Sequence, residues 1–332
     1  MRRAIRLGII GCGEHAFRAH AQPVFGADEF QLTAVFDPNA QASAQFCQTF
    51  GPALQVCISE DALLASNVEA VLIANPNPCH AASIQKAFKA GKHVLAEKPL
   101  ATDAVQLEAL RTLLRYGKPP ELVFSSCHPQ RFDTPYLWLK QALPGLRQCL
   151  GPVIHFGFDF SAQSYHAQRL GIPSMMLDHV NHDIDLLHFL FGHQVFQAHR
   201  ILDAPDRYFV CGQRVDELSF SFEGSYRAHQ GLSEQILRLR FARGLLTLNA
   251  RKGYAFIQDF HLDTEQRVDC GVKNYALRNQ AIMRNFAACI RQNAAPYLGL
   301  DDLWVNAWLG VQLREKGWTT YPGGFAYFDV DD

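Results

Sequence analysis

The feature that most constrains this chain is a short apolar segment running directly into a glycine-spaced turn. Ile5–Ile10 is apolar and rich in isoleucine, and Gly11-Cys12-Gly13-Glu14-His15-Ala16 follows it at once. A strand, a G-x-G-x-x-A turn and a helix in that order form the pattern of a dinucleotide-binding βαβ unit. In this reading Gly11 makes the tight turn, Gly13 lets the backbone approach a pyrophosphate, and Ala16 keeps helix and strand close. Glu14 and His15 lie between them, where free N–H groups at the helix start face the anion. Asp37 ends the second predicted strand, 21 residues beyond Ala16, where an acid grips the ribose hydroxyls. The plainer alternative is a structural turn, with Asp37 capping the helix that starts near Asn39.

The same alternation continues. Leu32–Phe36, Ala70–Ile73, Val94–Ala96 and Leu122–Ser126 read as short strands, and Asn39–Phe50, Cys79–Ala90 and Asp103–Tyr116 as helices between them. Strands without an exposed face, separated by helices, predict a doubly wound parallel sheet, a Rossmann domain over residues 1–127. Beyond it the pattern changes. Leu218–Phe222, Leu237–Phe241, Leu246–Arg251 and Tyr254–Asp263 alternate apolar and polar residues, and helices are expected over Asn274–Gln292 and Asp301–Lys316. This predicts an α+β domain over 128–332 with a largely antiparallel open sheet, whose free face would suit a homo-oligomer.

Composition narrows the function classes. The chain has 332 residues, 48% hydrophobic and 19% charged, as expected of globular domains. Its 31 basic and 32 acidic residues give no bulk attraction to phosphate backbones, so nucleic acid is excluded as an expected partner. No apolar run is long enough to span a membrane. The basic start MRRAIRLGIIG is cut short by Gly11, Gly13, Glu14 and His15, so no secretory signal is expected. Nine cysteines without a CxxC pair, several (Cys12, Cys57, Cys127) in strand-like settings, predict reduced thiols in a cytoplasmic protein.

Several segments resemble the glucose–fructose oxidoreductase/inositol dehydrogenase (Gfo/Idh/MocA) family. They are Val71–His80, Ala90–Leu100 around Glu97-Lys98-Pro99, Arg131-Phe132 with Pro135, Gly151-Pro152-Val153, and the set Asp178, His182, Asp185, Leu190 and Gly192. The resemblance implies an NAD(P)-dependent oxidoreductase acting on a secondary alcohol of a sugar, sugar derivative or inositol. It implies cofactor contacts at Gly11, Gly13, Glu14, His15, Ala16, Asp37, Asn75, Asn77, His80, Glu97 and Lys98. It also implies that Lys98 contacts the reacting hydroxyl, aimed by a cis bond to Pro99. The chain departs from the family at Gly171–Met176, where glycines are common, at Val180, where glycine is common, and at Asn75, where threonine is common.

Asp178, His182 and Asp185 are spaced by four and three, which puts them within roughly 60° on one helix face. An imidazole beside carboxylates can accept a proton near neutral pH, so His182 is the candidate base or relay, Asp178 a substrate ligand or partner, and Asp185 an orienting group. The bland alternative is a capped helix with Asp178 favoured by the dipole. Asp178, His179, His182 and Asp185 are all metal-ligand types, but the spacing of a helical His pair is missing and no metal is expected. His128 and Arg131 at the domain junction, and Tyr165 and His166 before the helix, complete the candidate substrate residues.

NAD is expected over NADP, because Pro38, Asn39, Ala40 and Gln41 offer no cation to a 2′-phosphate beside Asp37. Two rival readings stay open: a catalytically silent dinucleotide-binding sensor, and a reductase of an imine or tetrapyrrole, which apolar Met175, Met176 and Val180 would suit.

Overall fold

The computed structural model describes residues 3–24, 28–162, 174–228 and 233–326. They divide into two compact units, Met1–Pro129 with Tyr275–Leu303, and Gln130–Asn274 with Trp304–Asp332.

The first unit is built on six strands: β1 (Ile5–Ile10), β2 (Phe30–Phe36), β3 (Gln55–Val56), β4 (Ala70–Ile73), β5 (His93–Ala96) and β6 (Phe124–Ser126). All five pairings are parallel, in the order β3-β2-β1-β4-β5-β6. Leu7, Ile9, Val71, Leu72, Ile73, Val94 and Leu95 are fully buried, because helices cover both faces of a parallel sheet. The strand order reverses between β1 and β4, so a crevice opens beyond their carboxyl ends, where ligands bind in such sheets. Gly11 follows β1 there and Asn75 follows β4.

The helix Tyr275–Gln292 packs with this first unit, although its position in the chain had placed it in the second domain. Phe286 stacks on Phe30 at 6.1 Å, and the Arg291 guanidinium donates to the carbonyls of Arg3 and Glu29, both at 2.9 Å. Periodicity identifies the apolar face of a helix but not the sheet that face will cover.

The second unit carries nine strands: β7 (Val153–Ala162), β8 (Phe196–Ala204), β9 (Arg207–Arg214), β10 (Ser219–Ser225), β11 (Ser233–Phe241), β12 (Gly244–Asn249), β13 (Tyr254–Asp259), β14 (Thr264–Asp269) and β15 (Trp318–Tyr321). Their order is β14-β13-β12-β11-β7-β10-β9-β8-β15, antiparallel except for β7 with β10. Phe220, Phe222, Leu237, Leu239, Leu246 and Leu248 line the covered face, and the helix Met175–Phe191 packs against β8, β9 and β10. A helix over Thr134–Leu150 was not foreseen: Pro135 sits in its first turn and Pro144 inside it. No helix among the described residues is long and apolar enough to cross a membrane, and the nine cysteines are free thiols.

Candidate functional site

In the first unit the glycine turn has the geometry its spacing predicts. Gly11 sits at φ +94°, and a Cβ on it would lie 2.5 Å from the Ala74 carbonyl carbon and the Asn75 nitrogen. Only glycine lets the turn after β1 pass this close to the end of β4. Gly13 is the opposite case, since a Cβ there would meet nothing within 4 Å. Ala16 is buried at 1% exposure and opens a widened π-type turn, Ala16–Ala21. Asp37 accepts from the Cys12 N–H at 2.7 Å and from the Asn39 N–H at 2.8 Å. The next helix is capped by Asn39, whose side chain accepts from Gln41 N–H at 3.0 Å, so Asp37 stays at the glycine turn. A carboxylate keeps further lone pairs after two such bonds.

The turns after β4 and β5 are tied together by His80. Its ring nitrogens lie 2.8 Å from the Pro99 carbonyl and 2.8 Å from the Asn75 carbonyl. Burial pushes its pKa down, against the pull of the two carbonyls. Asn75 donates to Ser83 Oγ at 2.8 Å, while its Oδ1 is buried without a donor. The Lys98–Pro99 bond is cis, as the family resemblance implies, and Lys98 is half-buried.

Glu97 is buried and accepts several donors. His15 Nε2 lies 3.0 Å and His20 Nε2 2.6 Å from the same oxygen, Oε1. The Lys98 N–H donates to Oε2 at 3.2 Å. Although burial opposes ionisation, the two histidines outweigh it and hold Glu97 well below the usual carboxylate range. His15, His20 and Glu97 form the one trio of metal-ligand types found in register among the described residues, with ligand atoms within 4.8 Å of one another. Hydrogen bonds between ring N–H groups and a carboxylate account for these distances. His20 was not singled out from the sequence, where it is a lone histidine on an alanine-rich helix.

Asn77 begins the turn Asn77–Cys79, and Glu14 pairs with Arg18 on the surface at 2.9 Å. His128 is buried, with its N–H on Tyr297 Oη at 3.0 Å, and the Tyr297 hydroxyl donates to the Ser126 carbonyl. The residues present suit a dinucleotide: clear space over Gly13, an acid held at the turn, and an orphaned acceptor on Asn75 at the strand edge.

In the second unit, Ser174 caps the helix Met175–Phe191 by accepting from Leu177 N–H at 3.0 Å, while its hydroxyl reaches Asp203 at 2.7 Å. Asp178 lies in the first turn, and Asp178, His179 and His182 are half-buried. His179 Nε2 lies 3.6 Å from Asp178 Oδ2 and 2.5 Å from Tyr226 Oη, and its ring stacks on Phe160 at 4.7 Å. Burial and Asp178 push the Tyr226 pKa up, so its phenol stays protonated beside His179. The His179 and His182 rings are 6.3 Å apart. Tyr226 follows β10 with no motif around it, and nothing in the sequence marked it.

Asp185 has partners that its sequence spacing did not indicate. It is 1% exposed and binds the Arg131 guanidinium twice, from Nε at 3.0 Å and Nη2 at 2.8 Å, and Asn306 Nδ2 at 2.8 Å. It therefore orients Arg131, which is engaged in a buried ion pair. Met175, Met176 and Val180 are fully buried, and a Cβ on Gly310 would lie 3.2 Å from Val180. They are core residues, which removes the feature that favoured an imine or tetrapyrrole substrate. Tyr165, His166 and residues 171–173 lie outside the described residues.

Residues 5–118 match a family described as oxidoreductases with an NAD-binding Rossmann fold. An inositol 2-dehydrogenase/D-chiro-inositol 3-dehydrogenase of Shouchella clausii is 33% identical over 211 residues, 60% of this chain and 56% of that protein. A UDP-N-acetylglucosamine 3-dehydrogenase of Acidithiobacillus ferrooxidans is 33% identical over 193 residues, 57% of this chain and 55% of that protein. These matches span little more than half the length of either relative. The solved structure of the Acidithiobacillus enzyme matches with a TM-score of 0.75 at 22% identity, covering 94% of this chain and 97% of that one, a likeness of fold.

Proposed function

We propose, from the match of residues 5–118 to the NAD-binding Rossmann oxidoreductase family, that this protein oxidises a secondary alcohol of a sugar, sugar derivative or inositol with NAD. The observation that carries the reading is the end of β1, where the Gly11 turn, the clear space over Gly13 and the Asp37 carboxylate come together. The nicotinamide, when bound, supplies the hydride acceptor. The backbone N–H groups beyond Gly13 bind the pyrophosphate, and Asp37 accepts from the ribose hydroxyls. The chain must then handle the hydroxyl proton. The Lys98 ammonium donates to the reacting oxygen, and a ring nitrogen of His182 takes the proton as the carbon–hydrogen bond gives up its hydride. Asp178 holds a neighbouring substrate hydroxyl. The substrate class follows the relatives, whose names give inositol and a nucleotide sugar. Self-association through the open face of the nine-stranded sheet belongs to the same proposal, and sedimentation velocity decides it.

The test is a panel of inositols, sugars, nucleotide sugars and sugar acids, each with NAD and with NADP, read by the absorbance of the reduced nicotinamide. At least one polyol is expected to reduce NAD. A panel without turnover, from protein that still binds NADH, would support the silent sensor instead.

A further inference from the structure

We propose that His15 makes dinucleotide binding proton-linked: its imidazolium, seated on Glu97, offers the phosphates an N–H that the neutral ring lacks. The inference rests on the dinucleotide reading above and concerns the same loop.

His15 lies within the glycine-turn segment, two residues beyond Gly13, and its side chain is 70% exposed. Its Nε2 is committed to Glu97 Oε1 at 3.0 Å. Glu97 is buried and stays ionised, so it only accepts hydrogen bonds, and the Nε2 contact requires a proton on that nitrogen. This fixes the tautomer. In the neutral ring the proton is on Nε2 and Nδ1 presents a lone pair, which repels a phosphate oxygen. In the protonated ring Nδ1 becomes an N–H donor with a positive charge behind it. The group thus switches between opposing and assisting an anion at the loop where the helix N–H groups and the space over Gly13 receive one.

The groups around His15 keep the switch in the useful range. Glu97 favours the cation, by charge and by the hydrogen bond, and raises the His15 pKa above its ordinary value of 6.5. Partial desolvation by the neighbouring groups pulls the other way, as do Lys98 and Arg278. His20 shares Oε1 at 2.6 Å, with its ring edge-on to His15 at 5.5 Å. The Lys98 N–H occupies Oε2, so the carboxylate is anchored from the far side. A bound dinucleotide adds negative charge, which raises the His15 pKa further, and above the free-protein value binding must then take up a proton.

NADH affinity, followed by nicotinamide fluorescence, should be constant in mild acid. It should weaken by about tenfold as the pH rises through the His15 transition, the factor that one unit of pKa difference produces. His15→Gln keeps a donor for Glu97 but cannot gain a charge, and its profile should be flat. On the unmodified protein, calorimetry of NADH binding in two buffers of different ionisation enthalpy should register proton uptake in mild alkali. A flat wild-type profile, a slope that His15→Gln leaves intact, or binding without proton uptake would overturn the inference while leaving the dinucleotide reading standing. No NADH binding at any pH would overturn both.

Discussion

At the scale of single residues, two acids that the sequence offers as candidates, Asp37 and Asp185, end with different partners, and those partners decide what each can do. Asp37 is held by two backbone N–H groups at the glycine turn, so it remains available to a ribose. Replacing it by serine together with Pro38→Arg should shift preference toward NADP, measured as the ratio of kcat/KM for the two dinucleotides, because a like charge is removed and a cation supplied. Asp185 is spent on Arg131 and Asn306. Asp185→Ala leaves a buried guanidinium uncompensated and should cost about 3–5 kcal/mol in urea denaturation. A loss under about 1 kcal/mol would mean that water reaches Arg131. Helical spacing put Asp185 on the face of Asp178 and His182, and it is on that helix, but its partners at 131 and 306 are remote in sequence and periodicity could not reveal them. For His182 and Lys98 the expectation is kinetic. His182→Asn and Lys98→Met should each lower kcat by roughly 10²–10⁴-fold with NADH binding little changed. Wild-type turnover in both would remove the proposed proton path.

At the scale of elements, what was legible followed burial. β1 and β4 match their expected bounds, because strands covered on both faces are continuous apolar runs ended by turn residues. The expected strands over Leu237–Phe241 and Leu246–Arg251 are also there, since one covered face imposes alternation. β14 and β15 lie at the edges of their sheet, and every residue of β14 except Val268 is exposed. β14 buries little and so carries little pattern, while β15 alternates with Thr319 and Tyr321 buried but is only four residues long, and neither strand was foreseen. Gly11 joins element to site. Gly11→Ala forces a Cβ to 2.5 Å from the backbone of β4's turn at positive φ, so it should destabilise the first unit by about 2–4 kcal/mol and weaken NADH binding. An unchanged melting temperature would mean that β1's turn can move away from Asn75.

At the scale of the whole molecule, acid and base act on different histidines. Burial lowers the pKa of His80, His93 and His155, so between pH 6.5 and their folded-state values the unfolded chain binds more protons than the folded one. Stability should therefore fall as the pH drops below about 6.5, with a slope of at most about 1.4 kcal/mol per pH unit for each group. His15 is shifted the other way, and its contribution is complete below its ordinary value and lost as the pH rises through its folded value. Urea titrations across this range should show net acid lability, and a stability that rises on acidification would contradict these assignments. The central claim is hydride transfer from a carbinol carbon, and isotopic labelling tests it most directly. The wild-type protein is incubated with NAD and a panel of inositols and sugars deuterated at their carbinol carbons, and the dinucleotide is weighed by mass spectrometry. The account predicts reduced dinucleotide carrying one deuterium from at least one polyol; dinucleotide that stays oxidised throughout, or is reduced without deuterium, would contradict it.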